Sequence, residues 1–172
     1  MYSLLIIKRK CEYILEVLVN PNTEHISHRI LKRKGPVTPF ASEPTDNLKE
    51  IIFGLMLGDL SAERYSTNGN TRLRFYLSSI NEEYANHLYL KFQEYVKTPP
   101  KKITRKLSNL TGKIHTDIAF STLKYSFFNW VMEEFYKKDP VLNRNIKILP
   151  LNTEKQLTAV SLAYWIMVRI KK

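Results

Sequence analysis

Cysteine is almost absent: Cys11 stands alone in 172 residues. That excludes an internal disulfide framework and a cysteine zinc cluster, and it suits a reducing compartment or an organelle matrix. Long apolar runs are missing too. The longest near the start, Leu4 to Ile7, falls far short of the roughly 20 residues a spanning helix requires, so no membrane partner is expected. Lys8, Arg9 and Lys10 follow that run, whereas a secretory signal places charge before it, and Glu12 and Glu16 argue against an acid-poor transit peptide. A protein made inside an organelle needs neither. The sequon at Asn109 and Thr111 is then coincidental. Acids are also scarce, 16 against 27 lysines and arginines, for a formal charge of +11. Such an excess points to a polyanion, and nucleic acid is the commonest one a basic domain meets. What is present is a 44% hydrophobic content, enough in this length for one domain with a real core.

The chain divides into three stretches: residues 1–46, 47–150 and 151–172. Half of the eight prolines, Pro21, Pro36, Pro39 and Pro44, fall in the first. Proline removes backbone donors and forces its predecessor into extended geometry, so few long elements are expected there beyond one short helix or strand over Cys11 to Val19. The basic run holding Arg29, Lys32, Arg33 and Lys34 is either a phosphate-binding arm or a solvated one.

Regular patterning begins at Thr45. Thr45 or Asp46 is a plausible N-cap, Glu50 a weak capping-box partner, and the helix should run to about Gly58. Tyr65 to Asn70 is turn chemistry. Over Thr71 to Ser78, Leu73, Phe75 and Leu77 alternate with Arg72, Arg74 and Tyr76, which predicts a strand with one apolar and one basic, aromatic face. Asn81 should cap a helix with a stripe of Tyr84, Leu88, Phe92 and Tyr95 or Val96, ended by Pro99 and Pro100. A strand over Lys113 to Phe120 would put Ile114, Ile118 and Phe120 on one side and Lys113, His115 and Asp117 on the other. Lys102, Thr104, Lys106 and Ser108 are expected to share a wet face before it. A helix from Leu123 to Lys137 would bury Leu123, Phe127, Val131 and Phe135. The order is helix, two strands, helix, two strands, helix.

The run from Ile52 to Asp59, apolar and stepped by Gly54 and Gly58, resembles the first signature helix of the LAGLIDADG homing endonucleases. Asn70 to Phe75 and Ile80 to Tyr89 look like the family's next strand and helix, and Leu157 to Met167 is similar to its second motif. The resemblance implies an α+β fold, one αββαββα unit with an antiparallel sheet, followed here by the helix of a truncated second unit. It implies that the two motif helices pack together. Gly54 and Gly58, with Ala159 and Ala163, offer matching small-residue faces for that contact. It also makes Asp59 the ancestral ligand of a magnesium ion over the scissile phosphate. On its own, an acid at a helix C-terminus is mildly unfavourable without a cation, and a turn-forming aspartate is the plainer alternative. Val168 and Arg169 stand where the family carries acids. A guanidinium at Arg169 would repel metal and could pair with Asp59, leaving a vestigial site. Glu63 is a poorer recruit, since catalytic geometry tolerates misplacement badly.

The stronger functional candidates are basic. Arg72, Arg74 and Tyr76, with Lys102, Lys106, Lys113 and His115, are expected to form the surface this family lays along nucleic acid. Lys97 to Lys113 carries six basic residues and no acid, adding Lys101 and Arg105 to the set. Family members are typically intron-encoded proteins of mitochondria or chloroplasts, some cutting DNA and some assisting splicing as maturases. The expectation is a catalytically inactive, organelle-encoded member without cofactor. It would bind structured RNA, ribosomal or intronic, in preference to duplex DNA, alongside other proteins of a mitochondrial ribonucleoprotein such as the ribosome. The alternatives are a magnesium-dependent homodimeric homing endonuclease and an intron maturase.

Overall fold

The computed structural model describes residues 41–105, 112, 114 and 116–169, with backbone alone at 168 and 169. Helix α1, Asp46–Leu57, opens where the Thr45 hydroxyl accepts from the Leu48 amide at 3.3 Å, the N-cap bond that satisfies one of the first free donors. Glu50 does not close a capping box with it. Its carboxylate instead accepts from the Thr158 hydroxyl at 2.7 Å, tying α1 to the last helix. Strands β1, Ser61–Glu63, and β2, Arg72–Ser78, follow. After a 3-10 turn comes α2, Glu82–Phe92, then β3, Lys101–Thr104, and β4, Thr116–Ser121. Helix α2 stops well short of Pro99, because Gln93–Tyr95 tighten into a 3-10 turn and Val96 bridges to Thr122.

The four strands form one antiparallel sheet in the order β1-β2-β4-β3. Leu73 and Phe75 of β2 and Ile118 and Phe120 of β4 lie on its buried face. There Phe75 stacks on Phe120 at 4.3 Å and meets Phe92 of α2 at 4.9 Å. Ile114, expected on that face, is instead exposed.

The expected long third helix is shorter. A 3-10 turn over Ser126–Phe128 leads into α3, Asn129–Phe135, which buries Val131 and Phe135 as expected. The chain then extends as β5, Tyr136–Asp139, and turns back as β6, Arg144–Lys147. Asp139, Pro140 and Asn143 supply the turn, Asp139 accepting from the Val141 and Leu142 amides and Asn143 taking a left-handed φ of 46°. Tyr136 leaves the helical path because its hydroxyl accepts from the Ala62 amide of edge strand β1 at 3.0 Å.

A short helix α4, Thr153–Gln156, precedes α5, Ala159–Arg169. Thr158 and Ser161 cap α5 reciprocally: the Ser161 amide donates to the Thr158 hydroxyl, and the Thr158 amide to the Ser161 hydroxyl. Helices α1 and α5 pack together within this chain. The contact centres on Gly54, where a Cβ would fall 2.0 Å from the Ser161 carbonyl oxygen. Ala163 is buried at the seam, whereas Ala159, expected to share it, is exposed.

On the other flank of α5, His87 of α2 meets the Tyr164 hydroxyl at 3.0 Å. Burial lowers the His87 pKa below its ordinary 6.5, and Lys91 lowers it further. Above pH 6.5 the imidazole is neutral folded and unfolded. Below it the unfolded chain takes the proton first, so stability falls with pH until the folded imidazole also titrates. Urea midpoints should therefore decline just below pH 6.5 in the native protein and decline less in His87→Gln.

Candidate nucleic-acid interface

Strand register decides which side chains share the outer face of the sheet. Arg74 pairs with Ser121, Tyr76 with Ala119 and Ser78 with Asp117, while Lys101 pairs with Ala119 and Ile103 with Asp117. Arg72, Arg74, Tyr76, Lys101 and Asp117 therefore lie on one face, and Glu63 of β1 joins them opposite Arg72. Arg105 reaches the same face, where its guanidinium pairs with Asp117.

Lys102 does not belong there. Its register partner is the buried Ile118, which turns it to the helical side of the sheet. It pairs with Glu82 of α2 at 2.8 Å. A shift of one residue in strand phase exchanges faces, so the expected set of Lys102 and Thr104 gives way to Lys101 and Ile103. Lys106, Lys113, His115 and the arm residues Arg29, Lys32, Arg33 and Lys34 lie outside the described residues, as does the Arg169 side chain.

The arginines of this face are held by an internal counterion. Glu63 accepts from Arg72 Nε at 2.7 Å and lies 3.4 Å from Arg74 Nη1. Burial by itself would raise the Glu63 pKa. Hydrogen bonds from Arg72 and Tyr65 and the two guanidinium charges outweigh it, leaving the carboxyl below its ordinary value. Tyrosines complete the surface. Arg72 lies over the Tyr65 ring at 5.4 Å and donates to its hydroxyl at 2.8 Å, Lys124 lies over the same ring at 4.3 Å, and Arg74 sits over Tyr76 while bonding its hydroxyl. Tyr65 is 66% exposed and Tyr76 39%, so both rings present area to a base as well as orienting the cations.

A second feature sits where α1 ends. Asp59 is exposed there, and Lys147 of β6 donates to the Gly58 and Leu60 carbonyls, each at 2.8 Å. These oxygens belong to the end of the helix and the turn after it, where partial negative charge collects. Burial of the ammonium drops the Lys147 pKa to about 8, and the nearby Asp59 opposes that fall. The sequence hides Lys147, because the two short, mostly exposed strands of the hairpin that bears it carry no apolar alternation.

Among the described residues no three His, Cys, Asp or Glu side chains are grouped to hold a metal ion, so a magnesium ion at this corner would rest on Asp59 alone. Asp59 would supply one carboxylate, and phosphate oxygens and water the remaining ligands, an arrangement magnesium commonly accepts. The flanking carbonyls are committed to Lys147. Bound there, the ion would polarise a phosphoryl oxygen. Asp59 would hold it, and Lys147 would fix the turn that aims Asp59.

Comparison with known proteins converges on one group. Residues 49–171 match the LAGLIDADG DNA endonuclease family. A cytochrome b mRNA maturase bI2 from Saccharomyces cerevisiae is 36% identical over 123 residues, which cover 70% of this chain and 29% of the maturase. Its namesake from Debaryomyces hansenii is 31% identical over 141 residues, covering 81% and 51%. Among solved structures, the homing endonuclease I-WcaI bound to its DNA recognition sequence is similar with a TM-score of 0.62 and 26% identity, over 74% of this chain and 52% of that one. The chain thus spans about half or less of each of these proteins.

Proposed function

The chain belongs to the LAGLIDADG DNA endonuclease family, and from that membership we propose that it binds intron-bearing RNA as a maturase-type splicing assistant in mitochondria and does not cut DNA. The observation that carries this is the likeness to two cytochrome b mRNA maturases across most of the chain. That likeness supports intronic RNA over the ribosomal RNA first expected. The chemistry agrees with binding without cleavage. Arginines, lysines and tyrosines on one sheet face offer phosphate and base contacts. Hydrolysis by the family route needs acids from both motif helices, and in the sequence Arg169 occupies the place of the second.

The test pairs two assays on the same preparation. Added to a precursor RNA carrying a candidate intron, the protein should raise the splicing rate. With magnesium and duplex DNA spanning the matching insertion site, it should leave the DNA intact. Site-specific double-strand cleavage that disappears in Asp59→Asn would overturn this and establish a homing endonuclease.

A further inference from the structure

The β5–β6 hairpin carries charge that the fold does not use. On the sheet, Arg72 and Arg74 share Glu63, and Arg105 pairs with Asp117. On the hairpin, Lys137, Lys138 and Arg144 are exposed, and among the described residues none has a carboxylate within ion-pair distance. Its one acid, Asp139, is spent on the Val141 and Leu142 amides, which fixes the turn. The tip so held is apolar: Val141 is 89% exposed and Leu142 54%. So exposed, these side chains gain little burial from the fold.

The stem is rigidly rooted. Tyr136 binds the Ala62 amide of β1, Lys147 binds the Gly58 and Leu60 carbonyls, and the Ile148 amide donates to the Phe135 carbonyl at 2.8 Å. Tyr136 pairs with Lys147 and Lys138 with Asn145, so these four share one face of the hairpin. Lys138 therefore continues outward, on the same face, from the lysine that anchors the Asp59 corner.

We propose that this hairpin is a second RNA-contacting element beside the sheet. Lys137, Lys138 and Arg144 hold phosphates, and Val141 and Leu142 pack against an unstacked base in a loop or single strand. Unpaired cations supply affinity for any strand, whereas an apolar wedge works only where a base is already unstacked or readily becomes so. The inference rests on the RNA-binding function proposed above.

Equilibrium binding of the purified chain to an intron-derived RNA with unpaired loops, followed over a salt series, tests it. In Lys138→Ala/Arg144→Ala the slope of log affinity against log salt should flatten by about 0.7 for each phosphate no longer neutralised. In Val141→Ser/Leu142→Ser affinity should fall severalfold with the slope unchanged, and less for a fully paired RNA than for the looped one. Both variants alter exposed side chains, so urea midpoints should stay at the native value and separate weakened binding from impaired folding. Native binding that neither variant alters overturns the hairpin's role and leaves the RNA-binding function standing. A tip variant that changes only self-association, with RNA affinity intact, overturns it in favour of a protein contact. A native protein that binds no RNA overturns both.

Discussion

Replacing Gly54 with alanine is expected to lower the unfolding free energy by about 3 kcal/mol or more. Overpacking a close-packed core ordinarily costs about 1 to 3 kcal/mol, and the upper end applies where the obstacle cannot turn aside. Here the new Cβ would fall 2.0 Å from the Ser161 carbonyl oxygen and 2.7 Å from its carbon, both backbone. Relief requires α1 and α5 to separate. That would loosen the buried Ile51, Leu55 and Tyr164 and stretch the bond from Thr158 to Glu50. Gly69→Ala is the control. Its Cβ would meet the Ser66 hydroxyl at 2.7 Å, the end of a short side chain that can rotate away, and the Ser66 carbonyl oxygen only at 3.2 Å, so a smaller change than at Gly54 is expected. Urea unfolding of both variants reads the difference. A Gly54→Ala midpoint equal to that of Gly69→Ala would mean that the two helices do not meet at this point.

The second large effect concerns the sheet face. Removing both arginines in Arg72→Ala/Arg74→Ala should flatten the salt dependence of RNA binding by about 1.4 to 1.8 log units, the sum of two phosphate contacts. Affinity should fall alike for many RNA sequences, since phosphate contacts position without reading sequence. Glu63→Gln should act in the opposite direction. It leaves both guanidiniums in place and removes the carboxylate they now share, so binding at low salt should tighten. A double variant with an unchanged slope would place the RNA elsewhere on the molecule.

The elements legible in the sequence are those whose pattern has a local cause. Thr45 caps α1 with its own side chain, and the alternation of Leu73 and Phe75 with Arg72 and Arg74 reports the two faces of β2 directly. Val131 and Phe135 fit a helical period and are helical, but the helix expected to reach Lys137 ends at Phe135, and neither Tyr136 nor Lys137 is a residue type that breaks a helix. What ends the helix there is a distant partner, the Ala62 amide on an edge strand, 74 residues away in the chain. The face on which Lys102 lies is hidden for a similar reason. Strand phase in β3 is set by pairing with β4, and a short run of exposed residues carries no apolar alternation to declare it. At the site, the cations are visible as residue types, while their internal partners Glu63 and Asp117 and the anchoring role of Lys147 exist only once the chain is folded.

Binding of an intron-derived RNA and of duplex DNA, measured in competition at one salt concentration, tests the account most directly. The RNA should displace the duplex, and Asp59→Asn should leave that preference unchanged if, as proposed, contacts on the sheet face and the hairpin set the affinity and Asp59 takes no part. Tight, sequence-specific binding to duplex DNA with no preference for RNA would contradict it.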